Sequence, residues 1–258
     1  MIQPLSACAD PKRYGGKAAQ LAAALGHGLP VPDGFALEVS AAAAVARGSA
    51  LALPEGFWAV RSSSVDEDGE AASFAGQHIS LLHVSSDDVA GAVWTVWASG
   101  RTEAALAYRA RMGIAHPPRM AIVIQRMVYP ETAGVLFTRN PITGARERMI
   151  EASWGLGEAV VSGLVTPDNY RVAKGGEILA RRVGFKDVAV RHERTGGTSE
   201  VPVAEHLREV LCLRDAHLAI LDALAERVEQ SFDGDHDIEW AFDASGVHLL
   251  QRRAITTQ

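Results

Sequence analysis

Cysteine is scarce in this chain of 258 residues, with only Cys8 and Cys212 present. Two cysteines exclude a disulfide framework and a cysteine-rich metal site, and they make a reducing, cytoplasmic compartment the expected one. Long apolar runs are also missing, because no stretch reaches the roughly 20 apolar residues that a membrane-spanning helix needs. The N-terminus has no basic region followed by an apolar run, so we expect no signal peptide and no membrane partner.

Basic residues are outnumbered in this chain. Lysine and arginine total 25, against 31 aspartate and glutamate residues, which gives a formal charge of −6. Nucleic acids and anionic membranes select basic surfaces, so we expect neither as a partner. The nine histidines include no pair at i,i+4 spacing, which disfavours a zinc site. The motifs of serine hydrolases, P-loop nucleotidases and Rossmann dehydrogenases are missing, which weakens those three hypotheses.

What the chain does contain is an ordinary folded-protein composition, 48% hydrophobic and 22% charged, over a length that can bury a core. Helical and strand patterns are mixed, and several strands follow one another directly, which favours an α+β fold. We expect one lobe at 1–128 and a second at 129–258, with the boundary just after an apolar strand at 119–128.

A few predicted elements matter most for the candidate site. They are a helix at 17–25, a strand at 58–60 that runs into a polar loop from Arg61, a helical stretch at 205–232 with a break near Asp215, and a closing hairpin of strands 237–242 and 247–251.

Two motifs near the N-terminus suggest anion binding. Gly15-Gly16-Lys17 directly precedes the first helix, where paired glycines let the backbone approach an anion and free N–H groups would face it. Arg61, beside a run of three serines, could likewise hold phosphate oxygens. Each motif also describes an ordinary polar turn. For Gly-Gly-Lys alone the ordinary turn is favoured, and for the arginine the two interpretations are balanced.

The closing hairpin carries acidic, amide and basic side chains. Asp237 and Glu239 are two residues apart, as are Gln251 and Arg253, so each pair shares a face of its strand. A carboxylate and an amide oxygen suit Mg²⁺, and the guanidinium could neutralise a transferring phosphoryl group. A solvated cross-strand ion pair explains the same residues, and for the hairpin alone this simpler interpretation is favoured.

Taken in order, a series of segments resembles the N-terminal ATP-binding domain shared by phosphoenolpyruvate synthase, pyruvate phosphate dikinase and rifampin phosphotransferase. These segments are residues 15–18, 28–35, 60–63, 73–77, 97–99, 107–109, 123–128, 134–141, 154–158, 165–168, 237–240 and 251–256. Each segment is a weak signal by itself, whereas the ordered set covers nearly the whole chain and is highly specific.

The resemblance implies an ATP-grasp-like α+β fold in which two lobes close on a cleft that holds ATP and Mg²⁺. The implied site residues are Lys17, Arg61, Asp237 and Arg253 as catalytic groups, Gly76, Gln77, Ser80, Gln125, Arg126, Met127 and Val128 as nucleotide contacts, and Glu239 and Gln251 as metal ligands. With this resemblance, an active site becomes the favoured interpretation of the hairpin.

The chain departs from the family pattern in three places. Ser80 stands where threonine is usual, which keeps a hydroxyl, and Ala254 stands where proline is usual. The larger departure concerns the phosphorylated histidine that family enzymes carry on a mobile domain. None of the nine histidines here has the glycine-rich Ser/Thr-x-His setting of that residue.

The resemblance therefore implies an ATP- and Mg-dependent, dikinase-type phosphotransferase subunit. The expected acceptor is a histidine on a separate swivelling-domain protein, with AMP as the adenine product. Two alternatives stay open. One is a stand-alone ATP-grasp kinase that phosphorylates a small molecule directly and releases ADP, and the other is a nucleotide-binding module without turnover. The apparently complete set of charged site residues disfavours a decayed site.

Overall fold

The computed structural model describes residues 1–65, 79–114 and 116–255, and it combines helices with antiparallel sheets. Within these ranges the helices are α1 (Pro11–Gly26), α2 (Val39–Ala46), α3 (Val89–Ser99), α4 (Glu103–Arg111), α5 (Glu158–Val161) and α6 (Asp215–Ser231). The strands are β1 (Ile2–Pro4), β2 (Gly34–Leu37), β3 (Phe57–Ser64), β4 (Ser80–Ser85), β5 (Met120–Arg126), β6 (Thr132–Phe137), β7 (Glu147–Trp154), β8 (Asp168–Ala173), β9 (Ile178–Arg182), β10 (Val188–His192), β11 (Thr198–Pro202), β12 (His236–Asp243) and β13 (Gly246–Ala254). The predicted α+β class is confirmed.

The chain divides into two compact units. The first contains Met1–Gly26, Pro32–Met127 and Glu193–Gly197. The second contains His27–Val31, Val128–His192 and Thr198–Gln258. The main change of unit lies between Met127 and Val128, close to the expected lobe boundary. Two short segments, 27–31 and 193–197, belong to the other unit from their sequence neighbours.

The sheet of the first unit has the strand order β1-β2-β5-β3-β4. Its central strand β5 is buried from Met120 to Gln125, because helices cover both faces of the sheet. α2 and α3 pack on the face that carries Trp58 and Val60. α1 lies on the opposite face, where Ser63 hydrogen-bonds to its backbone. A strand buried on both faces has a nearly continuous apolar sequence, which is why β5 could be predicted.

β3 differs from its sequence prediction. It extends to Ser64, so Arg61 and the three serines lie within the strand and not in a polar loop. Ser62, Ser63 and Ser64 pair with the first residues of β5 and are at most 3% exposed. The backbone ladder to the central strand extends β3 beyond its apolar part. Because that ladder uses only backbone groups, the side-chain types gave no sign of it.

The sheet of the second unit has the order β13-β12-β6-β7-β8-β9. α6 lies on one face, where buried Arg148 of β7 contacts Asp222 at 3.0 Å and Glu229 at 2.7 Å. The strand register places the fully buried Ile238 and Trp240 of β12 on this same face. Because side chains alternate along a strand, the intervening residues of β12 face the other way.

The helical stretch predicted at 205–232 consists of a 3₁₀ turn, Glu205–Leu207, and α6. Before α6, the Cys212 N–H donates to Asp168 Oδ2 at 2.7 Å and the Leu213 N–H donates to the Tyr170 hydroxyl at 3.1 Å. These bonds to β8 hold the backbone out of helical geometry. In the described parts of the chain, none of the helices has both the length and the apolar character that a membrane crossing requires.

Candidate functional site

Lys17 follows a break in α1. Gly15 leaves helical geometry with a φ of 76°, and helical residues continue after it. A side chain at Gly15 would meet the Ser63 carbonyl oxygen at 2.1 Å, so this close approach requires glycine. The Ser63 hydroxyl donates to the Tyr14 carbonyl at 2.7 Å and accepts the Ala18 N–H at 3.0 Å. The close approach that requires glycine at position 15 is therefore made to the backbone of β3, whereas the motif predicted an approach to an anion.

Arg61 lies two residues before Ser63 on β3, so the two side chains leave the same face of the sheet. Its cross-strand partner is Ser80, the first residue of β4. The first unit therefore brings Lys17, Arg61 and Ser80 to one side of its sheet. Gly76 and Gln77 lie outside the described residues.

The segment expected to meet adenine ends β5. The side chain of Gln125 is buried, and its Nε2 donates to the Pro32 carbonyl at 3.2 Å. The Arg126 guanidinium carbon lies 4.8 Å from the centre of the Trp58 ring. Both side chains therefore have partners within the first unit.

Met127 and Val128 separate the two units in sequence. Met127 is buried, and its backbone N–H donates to the Phe57 carbonyl at 3.1 Å. Val128 forms an apolar cluster in the second unit with Ala133 and Ala241, against which the partly buried Leu250 packs. Leu250 directly precedes the proposed metal ligand Gln251, so the residue before that ligand is anchored in this apolar cluster.

The closing hairpin brings its four candidate side chains together. Asp237 pairs with Arg253 and Glu239 pairs with Gln251 across β12 and β13. The Arg253 Nη2 lies 3.2 Å from Asp237 Oδ2. Because cross-strand partners share a face, two carboxylates, an amide and a guanidinium project from the face of the sheet opposite α6, where Gln251 is buried and Arg253 is exposed.

Asp237 is a partly desolvated acid beside a second acidic side chain. Burial raises the pKa of Asp237, and the nearby Glu239 carboxylate raises it further, whereas Arg253 lowers it. Arg253 thus offsets only part of the cost of ionising Asp237 at this position. A divalent cation held beside Asp237 would favour the ionised form of its carboxyl group.

The donor set fits Mg²⁺ better than a soft metal. Glu239 and Gln251 supply carboxylate and amide oxygens, with Asp237 beside them. Across the described residues, no group of three or more histidine, cysteine, aspartate or glutamate side chains is arranged to hold a metal. One carboxylate and one amide oxygen are the kind of donors that suit Mg²⁺, which usually keeps water and substrate phosphate oxygens in its coordination shell.

Arg252 has a role that sequence reasoning missed. Its guanidinium carbon lies 3.8 Å from the centre of the Phe232 ring, and its Nη1 lies 3.1 Å from His236 Nδ1. Arg252 is buried whereas Arg253 is exposed, so the two neighbouring arginines serve opposite faces of the sheet. Strand alternation was the available signal for this difference.

Residues 48–258 match the protein family described as the AMP/ATP-binding domain of pyruvate phosphate dikinase. The chain is 42% identical over 231 residues to a rifampicin phosphotransferase of a Streptomyces species, which covers 88% of this chain and 26% of the relative. It is 44% identical over 211 residues to a probable phosphoenolpyruvate synthase of Pyrococcus horikoshii, which covers 77% of this chain and 26% of that protein.

A third relative is the uncharacterized phosphotransferase YvkC of Bacillus subtilis. It is 35% identical over 266 residues, which covers 90% of this chain and 32% of the relative. The chain thus spans between a quarter and a third of the length of these three relatives.

Proposed function

Because the chain belongs to the family of the pyruvate phosphate dikinase AMP/ATP-binding domain, we propose that it is an ATP- and Mg-dependent phosphotransferase subunit of the dikinase type. The expected family resemblance is confirmed by this membership, and with it the ATP-grasp-like fold class. The observation that carries the proposal is the hairpin register, which gathers Asp237, Glu239, Gln251 and Arg253 on one sheet face.

In this proposal each residue acts by position and charge. Glu239 and Gln251 hold Mg²⁺, which when bound neutralises charge on the triphosphate. Arg253 is the cation for the phosphoryl group in transfer, and Asp237 orients it through the 3.2 Å contact. Lys17 and Arg61 bind phosphate oxygens from the first unit. Phosphoryl transfer needs mainly positioning and electrostatic stabilisation, so the chain itself need not form a covalent intermediate.

The nucleotide contacts complete the proposed site. We propose that adenine binds along the segment Gln125, Arg126, Met127 and Val128, as the family membership suggests. Gly76, Gln77 and Ser80 are the proposed phosphate-side contacts. We further propose a cytoplasmic location, because free thiols such as these two buried cysteines are typical of proteins in a reducing compartment.

We propose a histidine on a separate protein as the acceptor. The three relatives are much longer than this chain, so their reactions can use parts that it does not align with. A small-molecule acceptor with ADP as product is the second candidate. A nucleotide-binding module without turnover is the third.

The test is to incubate the chain with ATP and Mg²⁺, alone and with candidate acceptors, and to separate AMP from ADP by chromatography. AMP that appears only with a histidine-bearing protein supports the first candidate, and ADP that appears with a small molecule supports the second. Tight ATP binding without turnover under every condition supports the binding module.

The matched variants are Glu239→Ala and Glu200→Ala. Glu239→Ala should abolish turnover, because it removes a proposed metal ligand. It should leave the circular dichroism spectrum unchanged, because Glu239 is half-exposed. Glu200→Ala removes an exposed glutamate from β11 and should leave turnover unchanged. Normal turnover by Glu239→Ala would contradict the metal-ligand assignment.

A further inference from the structure

The hydroxyl of Ser63 joins the strand that carries Arg61 to the helix that carries Lys17. We infer that Ser63 is a positioning residue for triphosphate binding, which it serves by fixing Lys17 relative to Arg61. This inference rests on the proposed function, since it assumes that both cations bind phosphate.

The first step is the hydrogen bonding of Ser63. Its side chain is fully buried, so water cannot replace its bonds. The hydroxyl donates to the Tyr14 carbonyl at 2.7 Å, before the break in α1, and accepts the Ala18 N–H at 3.0 Å, after the break. One oxygen atom therefore ties both sides of the break to β3.

The second step concerns the start of a helix. The first N–H groups of a helix lack intrahelical partners, and a side-chain oxygen usually caps one of them. Here the helical residues after Gly15 have such an N–H, that of Ala18, bonded to an oxygen 45 residues away in sequence. The cap therefore fixes the helix start to the strand and not merely to its own preceding turn.

The third step is the close backbone contact beside the cap. A Cβ at Gly15 would lie 2.1 Å from the Ser63 carbonyl oxygen, so the two backbones are packed without space for a side chain. Lys17 is two residues from this contact, and Arg61 is two residues from it on the same face of β3. Loss of the hydroxyl would loosen the link between α1 and β3 without removing either Lys17 or Arg61 from the chain.

The experiment measures binding by isothermal titration calorimetry, with Mg²⁺ and the non-hydrolysable analogue AMPPNP as one probe and adenosine as the other. Ser63→Ala should weaken AMPPNP binding about fivefold to tenfold, in the range of a lost helix cap. Adenosine binding should change by less than about twofold, because adenosine lacks the phosphates that the two cations would bind. Ser63→Thr keeps the oxygen and should restore AMPPNP binding.

A double-mutant cycle separates positioning from general destabilisation. Lys17→Ala should weaken AMPPNP binding much less in the Ser63→Ala protein than in the wild type, because Ser63 acts through Lys17. The matched control is Ser153→Ala, a buried serine whose hydroxyl has no hydrogen-bond partner within the described residues. It should leave both affinities unchanged.

Additive losses from Lys17→Ala and Ser63→Ala would overturn the inference, and so would an equal loss of adenosine binding. If Ser63→Ala does not fold, Ser63→Cys provides the same comparison with a weaker hydrogen-bonding atom. Failure of the wild type to bind AMPPNP would instead overturn the proposed function. If the wild type binds AMPPNP and Ser63→Ala binds it equally well, only the positioning role is overturned.

Discussion

Replacing Lys186 by methionine breaks a fully buried ion pair in the second unit. The Lys186 ammonium lies 2.6 Å from Asp168 Oδ1, and both side chains have 0% exposure. Asp168 also accepts the Gly184 N–H at 2.8 Å, the Cys212 N–H at 2.7 Å and the Tyr170 hydroxyl at 3.3 Å. Methionine fills a similar space but leaves the carboxylate without its counter-charge.

We expect Lys186→Met to lower the free energy of unfolding by about 3 kcal/mol. Removal of one partner from a buried pair costs about 3 to 5 kcal/mol, since the remaining charge is uncompensated. The lower end applies here because three hydrogen-bond donors to Asp168 remain. Equilibrium unfolding in urea, followed by circular dichroism, measures the loss as a shift in midpoint at constant slope.

The matched control is Arg181→Met, which breaks a pair with Asp215 whose side chains are 38% and 73% exposed. An exposed pair contributes about 0 to 1 kcal/mol, so this variant should lose little. Addition of Asp168→Asn to Lys186→Met should recover part of the lost stability, because no buried charge then remains. Equal losses from the buried and the exposed pair would refute the reasoning.

Two further predictions concern stability. Hydrogen bonds from Arg171, and to a smaller extent from Asn140, hold the pKa of Glu147 below its usual 4.5 in the folded protein. The contribution of Glu147 to stability is therefore complete above pH 4.5 and is lost as the pH falls through the lower folded value. Glu147→Gln should flatten this part of a plot of the urea midpoint against pH, and an unchanged plot would exclude the assignment. Gly134→Ala should lower the free energy of unfolding by about 3 kcal/mol, because the new Cβ would lie 1.8 Å from the Glu151 carbonyl oxygen. Gly91→Ala lies in open space within α3 and should instead raise the free energy of unfolding by up to about 1 kcal/mol. Thermal unfolding measures both changes, and similar melting temperatures for the two variants would contradict the packing argument.

Strands and helices with strong local patterns were predictable from the sequence. The apolar run of β5 and the alternating residues of the closing hairpin were assigned correctly because burial leaves a direct pattern in residue type. β3 was predicted too short, because its serines are held by backbone pairing with β5, to which side-chain pattern gives no clue. The anchoring of Asp168 to Lys186, which lies 18 residues away, was likewise outside any local pattern.

The sequence by itself determined the α+β class, the family, and which residue types could carry phosphate chemistry, because each depends on composition or on short motifs in order. Tertiary structure decided how those residues are held. The register between β12 and β13 opposes Glu239 to Gln251 and Asp237 to Arg253, and the approach of α1 to β3 makes the Ser63 hydroxyl a helix cap. Both depend on backbone hydrogen bonds and close contacts between distant segments, and such contacts follow from how whole elements pack and not from the residue types of either segment alone.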